Sequence, residues 1–448
     1  MSIKENLQAA AVVAIKDRNF VNHFLTFRQQ RGEKISDPDV MAVAGEILSI
    51  AWRKALKKGA SLEKYTEACI KRLSSKVADD EFETLLRHMY FSDDAKGLFQ
   101  VSPEFMLFKA GNASSGNTRH VGTVLGNMLL SRPEVKPGKP ENLNFLEAEL
   151  LAEFQSFSSG FSTACATEDY LPFMGDVFAK DLALLCCYPS YMMQNLKAFV
   201  GLYNFLYSAQ LAMNLRSWRT EPASKPLYFI MDTERASNER TYVREALSSL
   251  LDYVEDLFPV LSALEYFNQP DNKEAKRYPL WKHYQYIKAL SGEELDELNS
   301  GLKIFLESYR STRGRGSWKG DLNTSEDIFK AITKTATEIF SQPRSSQLTV
   351  NRKVVASFET EIARHFIQNR KRGGRVLIMN QDYLLLLTNL AVGARDKLQY
   401  QQLIKEFKHR GVWFDQQSQQ ALIEFYERVG NLERMSDSGD AVYVRKTI

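Results

Sequence analysis

The C-terminal part of the chain, residues 375–448, constrains the fold most, because its local signals follow one another in a defined order. A short apolar run at 376–379 predicts a strand. Asn380 and Asp382 then offer side-chain oxygens that can cap a helix. The apolar residues of that helix are Tyr383, the run Leu384 to Leu387, and Leu390. Gly393 is expected to end it.

Two further helices are predicted downstream. Leu403, Ile404 and Phe407 share one face of the first of these, which Gly411 ends. Asp415 can cap the second, at 416–429, and glutamines crowd its first turns. Its apolar residues recur at helical spacing and are Leu422, Phe425, Tyr426 and Val429.

A terminal hairpin completes this order. Residues 432–436 and 441–446 are short β-compatible runs, and the turn-forming cluster 437–440 joins them. Three compact helices followed by a hairpin are the order of a winged helix-turn-helix, whose third helix can enter a DNA major groove. The same module also docks other proteins in many complexes, so the fold alone does not decide its partner.

Charge favours a nucleic-acid partner for this module. Residues 361–448 hold 14 arginines and lysines against 10 aspartates and glutamates, so this segment carries +4 while the whole chain carries +3. Cations can neutralise phosphates, and glutamine can donate to and accept from adenine edges. The predicted DNA-binding residues are Arg370, Lys371, Arg372 and Arg375 before the strand, Lys405, Lys408 and Arg410 on the second helix, Gln416, Gln417 and Gln420 on the third, and Arg434, Arg445 and Lys446 on the hairpin.

Composition is that of an ordinary globular protein. The chain has 448 residues, of which 44% are hydrophobic and 25% charged, enough for two or three domains. It opens without an apolar signal core, so we expect a cytoplasmic protein. The uncharged run 198–215 includes Asn204, Gln210 and Asn214, which favours a buried core helix over a membrane span. The four cysteines, Cys69, Cys165, Cys186 and Cys187, lack metal-binding spacing and are interpreted as buried thiols; no metal or cofactor is predicted.

The first domain, 1–131, is predicted to be a helical bundle. The helix opened by Ser36-Asp37-Pro38 should bury four residues before Lys57-Lys58-Gly59 ends it, namely Val43, Ile47, Leu48 and Ala51. Another helix, from about Asp80, should turn four residues inward, namely Phe82, Leu85, Leu86 and Met89. The proline-rich stretch 132–140 is interpreted as a linker.

The central domain, 145–342, is also predicted to be helical. Its most apolar segments are 145–161, 174–185 and 191–215. An apolar strand at 227–231 ends in Asp232, after which Ser237 or Asn238 should cap a helix; that helix should bury Val243, Leu247, Leu250 and Leu251. Helices at 327–340 and 353–368 follow, and the second leads into the C-terminal domain, 353–448. The fold class is therefore mainly α, with multi-helical N-terminal and central regions and a C-terminal winged helix.

Two other motifs could bind nucleotides or nucleic acid. Residues 111–118 have the glycine spacing of a phosphate-binding loop, but Asn117 stands where the lysine belongs, so a glycine- and serine-rich connector is the favoured interpretation. Residues 310–320 are basic and include Trp318, a composition that can follow a nucleic-acid backbone and stack a base. A solvated loop is the simpler interpretation and is favoured.

Catalytic signals are weak. Hydrolysis of DNA needs clustered carboxylates for a metal, or a nucleophile in a prepared setting. The six histidines share no spacing, and no paired-acid nuclease signature or nucleophile elbow is present. We therefore expect a non-catalytic subunit. A cryptic nuclease that uses a carboxylate such as Asp232 is the alternative.

The C-terminus also resembles a known family. The residues that carry the resemblance are His409-Arg410-Gly411-Val412-Trp413-Phe414-Asp415 and Ser436-Asp437-Ser438-Gly439-Asp440-Ala441-Val442-Tyr443-Val444. They resemble the G subunit of the bacterial DNA phosphorothioation-dependent restriction system, DptG or DndG. Residues 232–240 look like a further family segment in which Thr233 replaces a tryptophan, which leaves the role of this segment open. The match covers about the last fifth of the chain.

Membership would imply a subunit of an anti-phage defence complex that acts on DNA lacking sulfur in its backbone. In that family the F and H subunits are the ATPases, so ATP hydrolysis and translocation would reside in those partners. The helical regions would then hold the partner proteins and the winged helix would hold double-stranded DNA. A protein-docking scaffold that touches no DNA is the alternative to this function.

Overall fold

The computed structural model describes residues 2–16, 20, 22–27, 39–76, 81–110, 116–138, 143–161, 166–237, 239–269, 271–272, 275–370, 373–434 and 442–448. Helix accounts for 63% and strand for 9%, which confirms the mainly helical expectation. Buried hydrophobic residues from all parts of the chain join in one large core.

The N-terminal third is built from short helices and one strand. They are α1 (Ile3–Val12), α2 (Val40–Ala51), β1 (Lys54–Leu56), α3 (Leu62–Ser74), α4 (Phe82–Leu86), α5 (Lys96–Val101) and α6 (Gly116–Asn127). Helix α2 buries Val43, Ile47, Leu48 and Ala51 as predicted. It ends at Ala51, earlier than expected, because β1 then pairs antiparallel with a second strand, β2 (Ser158–Gly160). Asp39 caps α2, and residues 36–38 lie outside the described residues.

The prediction for the helix near Asp80 is wrong in part. Helix α4 spans five residues and continues as a π-helical turn, Arg87–Phe91. Leu86 is buried, but Leu85 and Met89 are 53% and 45% exposed. A π turn holds more residues than the 3.6 of an α-helix, so a face extrapolated at α-helical spacing is out of register at Met89. Leu85 precedes the turn and lies on the solvent side of α4.

The central third is organised around two long helices. Its elements are α7 (Phe145–Phe157), α8 (Pro172–Cys187), α9 (Pro189–Leu215), β3 (Leu227–Met231), α10 (Thr241–Phe267), α11 (Leu280–Lys288), α12 (Gly292–Thr312), α13 (Ser325–Phe340) and α14 (Ser346–Ser357). Helix α10 begins after Arg240, so Ser237 does not cap it, and Asn238 lies outside the described residues. It buries Val243, Leu247 and Leu250, while Leu251 is half-buried.

The uncharged part of α9 lies in the core, as predicted. Its polar side chains hold the chain that leads into β3: Gln210 Oε1 accepts from the Lys225 N–H at 2.9 Å, and Asn214 Nδ2 donates to the Ala223 carbonyl at 3.1 Å. Buried amides need such partners, since an unpaired one costs about 1–3 kcal/mol. No helix among the described residues is long and apolar enough to span a bilayer.

The C-terminal third adds strands that the sequence signals did not all reveal. Its elements are β4 (Ile367–Asn369), β5 (Arg375–Met379), α15 (Gln381–Val392), β6 (Lys397–Gln399), α16 (Tyr400–His409), β7 (Val412–Phe414), α17 (Gln416–Arg428), β8 (Leu432–Arg434) and β9 (Val442–Arg445). A helix over 353–368 was expected; α14 instead ends at Ser357, a π-helical turn follows, and β4 begins at Ile367. The prediction missed β4, β6 and β7, which are three residues each and too short to show alternation.

Two small sheets organise these strands. In the first, of order β4-β5-β3-β7, β3 is parallel to both β5 and β7. In the second, of order β6-β9-β8, both pairings are antiparallel. The strands β8 and β9 occupy the predicted hairpin, and the turn at 437–440 lies outside the described residues. Strand β3 therefore joins the central region to the C-terminal region in one sheet.

A buried ion pair holds α16 against α8. Arg410 is 3% exposed and Asp181 is 1% exposed. The guanidinium donates Nε to Asp181 Oδ2 at 2.9 Å and Nη2 to Asp181 Oδ1 at 2.6 Å. Tyr203 donates its hydroxyl to the same carboxylate. Burial alone would disfavour the charge on Arg410, but the Asp181 carboxylate raises the Arg410 pKa above its ordinary value.

Replacing Asp181 with asparagine should destabilise the protein by about 3–5 kcal/mol, because the Arg410 charge stays buried and loses its buried counter-ion, keeping only the partly exposed Glu406 at 3.1 Å. The free energy of unfolding from urea denaturation measures this loss. Glu294→Gln, in the exposed pair Lys4–Glu294, is the control and should cost less than about 1 kcal/mol. Equal losses in the two variants would contradict the structural role of the buried pair.

Candidate nucleic-acid interface

Helix α17 presents the glutamines that the sequence singled out. Asp415 caps it, since its Oδ1 accepts from the Ser418 N–H at 2.9 Å. Gln416, Gln417 and Gln420 are exposed. The opposite side is buried through Leu422, Phe425 and Tyr426, whereas Val429, expected in the core, lies beyond the last helical residue and is 39% exposed. The first turns of α17 therefore offer amide groups to the solvent from a packed helix.

The start of α17 is held by a buried arginine from the segment whose role the sequence left open. Arg240 donates Nε to Asp415 Oδ2 at 2.8 Å and Nη2 to Asp415 Oδ1 at 2.6 Å. Its Nη1 bonds Glu234 Oε2 at 2.9 Å, and its Nη2 also reaches Ser418 Oγ. The Arg240 side chain is 4% exposed. Glu234 and Arg240 thus position the N-terminus of α17.

This contact changes the acidity of the helix cap. Burial raises the pKa of Asp415, but hydrogen bonds from Arg240 and from the Ser418 N–H outweigh it and hold that pKa below its ordinary value. Asp415 therefore stays ionised where an unperturbed aspartate would begin to protonate, near pH 4. The charge also suits the N-terminus of a helix, where the backbone dipole favours anions.

The strands beside α17 carry the predicted hairpin cations. The side chains of Arg434 and Arg445 are 66% and 61% exposed. Arg434 pairs with Glu427 of α17, and Arg445 pairs with Glu433 of β8 at 2.6 Å. Lys446 turns inward instead, with Nζ 3.0 Å from the Tyr188 hydroxyl. Two of the three hairpin cations therefore face the solvent.

The basic cluster before β5 also contains one cation that turns inward and one that is exposed. Arg370 turns inward, and its Nη2 donates to the Asp232 carbonyl. Arg375 is exposed and pairs with Glu359 at 2.7 Å. Lys371 and Arg372 lie outside the described residues. Of the two described cations in this cluster, Arg375 is the one available to a partner.

One of the three predicted DNA-binding residues at helix α16 is buried. Lys405 is exposed, and Lys408 lies with Nζ 4.6 Å from the centroid of the Trp413 ring. Arg410, predicted to contact DNA, cannot do so, because its guanidinium is buried and both its Nε and Nη2 bond Asp181. The sequence placed it among surface lysines at the end of an amphipathic helix; only the packing of α8 against α16 removes it from the surface.

The other motifs weighed in the sequence do not form sites among the described residues. Arg310 and Arg315 both turn toward Glu338, which favours a structural role for the basic loop 310–320. No group of three or more potential metal ligands occurs in the part of the chain that the structure describes. Residues 111–115 of the glycine-rich stretch are outside that part.

The cysteines match the buried-thiol interpretation only in part. Cys69 and Cys186 are buried, and burial raises the pKa of each thiol to about 12. Cys187 is exposed, and Cys165 lies outside the described residues. The two buried thiols are therefore protonated and unreactive near neutral pH.

The Asp415 cap should make stability depend on acid pH. Its pKa is lowered in the folded state, so its contribution is complete above the unfolded value, about 3.9, and disappears as the pH falls through the folded value. Asp415→Asn should lower the free energy of unfolding at pH 7 by about 1–2 kcal/mol, a difference that shrinks below about pH 4. Denaturation between pH 3 and pH 7 measures it. A difference that stays constant over this range would be the contrary result.

No protein-family model matches the chain, and the comparison with curated proteins finds no significant match. The function of the chain is therefore inferred from its own residues and contacts.

Proposed function

We propose that this protein is a non-catalytic, DNA-binding subunit of a bacterial phosphorothioation-dependent restriction complex, in which F and H ATPase subunits act on unmodified double-stranded DNA. The observation that carries the proposal is the exposed, glutamine-rich start of α17 beside strands that present Arg434 and Arg445. Glutamine can recognise base edges, and arginine can bind the phosphates on either side of a groove.

The arrangement of elements supports a winged helix at the C-terminus. Helices α15, α16 and α17 are followed by the antiparallel pair β8 and β9, and β6, which lies between α15 and α16, pairs with β9. In a winged helix-turn-helix, the third helix reads the groove while the hairpin contacts the backbone. By that geometry α17 is the recognition helix of the proposal, and β8 and β9 form the wing.

The ion pairs of the wing are compatible with phosphate binding. Arg434 and Arg445 pair with Glu427 and Glu433 on the surface, where such a pair contributes about 0–1 kcal/mol. A phosphate can replace the carboxylate at little cost, because both arginine side chains are largely exposed to solvent. The buried pairs of Arg240 and Arg410 have no such freedom. The exposed cations are therefore the residues proposed to bind DNA.

The family resemblance supplies the setting of the proposal. As a DptG or DndG protein, the chain would work in the bacterial cytoplasm in antiviral defence, and its helical N-terminal and central regions would hold the F and H subunits. ATP hydrolysis would belong to those partners. The chain itself would position the DNA, without a cofactor or metal of its own.

Reversing the charge of the wing should weaken duplex binding and its salt dependence together. In the double variant Arg434→Glu, Arg445→Glu, the slope of log K against log salt should fall by about 2, since each lost phosphate contact removes about 0.9. Fluorescence anisotropy with a labelled duplex over a range of salt concentrations measures the slope.

A matched control for that experiment is Arg87→Glu, Arg219→Glu. These arginines are also exposed and ion-paired, with Glu67 at 2.9 Å and Glu326 at 2.7 Å, but lie outside α15–β9. Their reversal should leave the slope unchanged. Wild-type slopes in both double variants would refute the proposed interface.

A protein-docking scaffold that touches no DNA is the second candidate. The observation that favours it is the acidic second half of α17, where Glu424 and Glu427 are exposed. Reconstitution with purified F and H subunits separates the two candidates. A stable complex in a protein that shows no salt-sensitive duplex binding would select the scaffold.

A further inference from the structure

A group of three aromatic rings, one exposed and two half-buried, lies on the sheet next to the start of α17. Tyr242, at the beginning of α10, is 69% exposed. Its ring stacks on that of Tyr228, with centroids 5.2 Å apart and planes at 19°. Tyr228 in turn contacts Trp413, at 6.0 Å between centroids. We call Tyr228, Tyr242 and Trp413 the aromatic platform.

The register of the sheet creates this platform. Tyr228 of β3 pairs directly with Trp413 of β7, so both side chains point to the same face. Their neighbours along the strands point to the other face and are buried in the main core; these are Leu227, Phe229, Val412 and Phe414. The platform therefore lies on the face of the sheet turned away from that core.

Helix α10 covers part of this face of the sheet, and its cover ends at the platform. Val243 of α10 packs on Ile230, Val376 and Ile378 and forms a small separate core with them. This cover lies over β3 and β5, and β7 is the edge strand beyond it. Tyr242 precedes Val243 and remains largely in solvent. The Tyr242 ring is therefore accessible from the solvent beside a packed core.

Lysines border the same rings. Lys408 Nζ lies 4.6 Å from the centroid of the Trp413 ring, close enough for a cation–π contact. Lys405, three residues earlier and on the same side of α16, is exposed. The chain then runs from Trp413 through Asp415 directly into the exposed glutamines of α17. Trp413, with Lys408 beside its ring, is therefore only two residues from the cap of the proposed recognition helix.

We infer that the aromatic platform binds an unpaired base of a nucleic-acid strand by stacking, with Lys405 and Lys408 on its phosphates. The inference rests on the proposed function and deepens it, because it adds a single-stranded substrate to the duplex. Every base has a flat π face, so stacking on tyrosine or tryptophan tolerates any sequence, and nearby lysines hold the backbone. Aromatic rings also bind proline-rich peptides, but such peptides carry no anionic group that Lys405 and Lys408 could bind.

The test uses the full-length protein and a short single strand that contains 2-aminopurine, whose fluorescence falls when it stacks. Wild-type protein should quench the 2-aminopurine fluorescence, and Tyr242→Phe should quench it to the same extent because the aromatic ring is kept. Tyr242→Ala should bind the strand about 5- to 150-fold more weakly, the range of one lost stacking contact. Its affinity for a blunt duplex should change by less than about twofold.

A matched control is available in α7. Phe145 is 56% exposed and has Lys76 Nζ 5.5 Å from its ring centroid, so Phe145→Ala removes an exposed ring beside a lysine elsewhere on the surface. This variant should quench as the wild type does. If Tyr242→Ala quenches the fluorescence as strongly as Phe145→Ala does, the proposed role of the platform is wrong. It is also wrong if the wild-type protein binds a proline-rich peptide but not the single strand.

The outcomes separate this inference from the proposed function. Duplex binding without Tyr242-dependent quenching would overturn the platform and leave the duplex interface standing. Tyr242-dependent quenching without duplex binding would support the platform and remove the winged-helix interface. Absence of both would overturn the two proposals together.

Discussion

The pairing of β3 with β5 and β7 is the constraint on which the C-terminal architecture depends. Strand β3 comes from the central region, yet its two neighbours come from 375–379 and 412–414. Each of these strands is too short to be stable alone, since isolated pairs of strands are marginal in water. Paired with one another and packed on the main core through Phe229 and Phe414, they fix where α15 and α17 begin.

Two buried arginines also hold C-terminal helices in place. Arg240 leads out of β3 and holds the cap of α17, while Arg410 closes α16 onto α8. Both are charged groups removed from water, so their carboxylate partners must be present and well aligned. The exposed arginines of the C-terminal strands have weak, replaceable partners instead. The buried arginines therefore stabilise the C-terminal region, whereas the exposed ones are accessible to another molecule.

The exposed surface of the C-terminal region follows from the same pairing. Because residues alternate across a strand, the register that buries Phe229 and Phe414 turns Tyr228 and Trp413 outward. Helix α10 covers only part of that outer face, and α17 starts directly after β7. The sheet thus brings the Tyr228 ring beside that of Trp413, which carries Lys408 on its ring and lies two residues before the cap of α17. Tyr228 and Trp413 come from segments far apart in the chain, which no local pattern links.

The sequence by itself determined the elements whose signals are local. Apolar spacing and the caps Asn380 and Asp415 located α15 and α17, the run at 227–231 located β3, and amides in the uncharged run indicated a buried helix. Only the tertiary structure decided what depends on distant partners. It buried Arg410 against Asp181, exposed Met89 through a π turn, and gave Glu234 and Arg240 their role. Local patterns report the face a residue could occupy, whereas the long-range packing decides whether another element covers it.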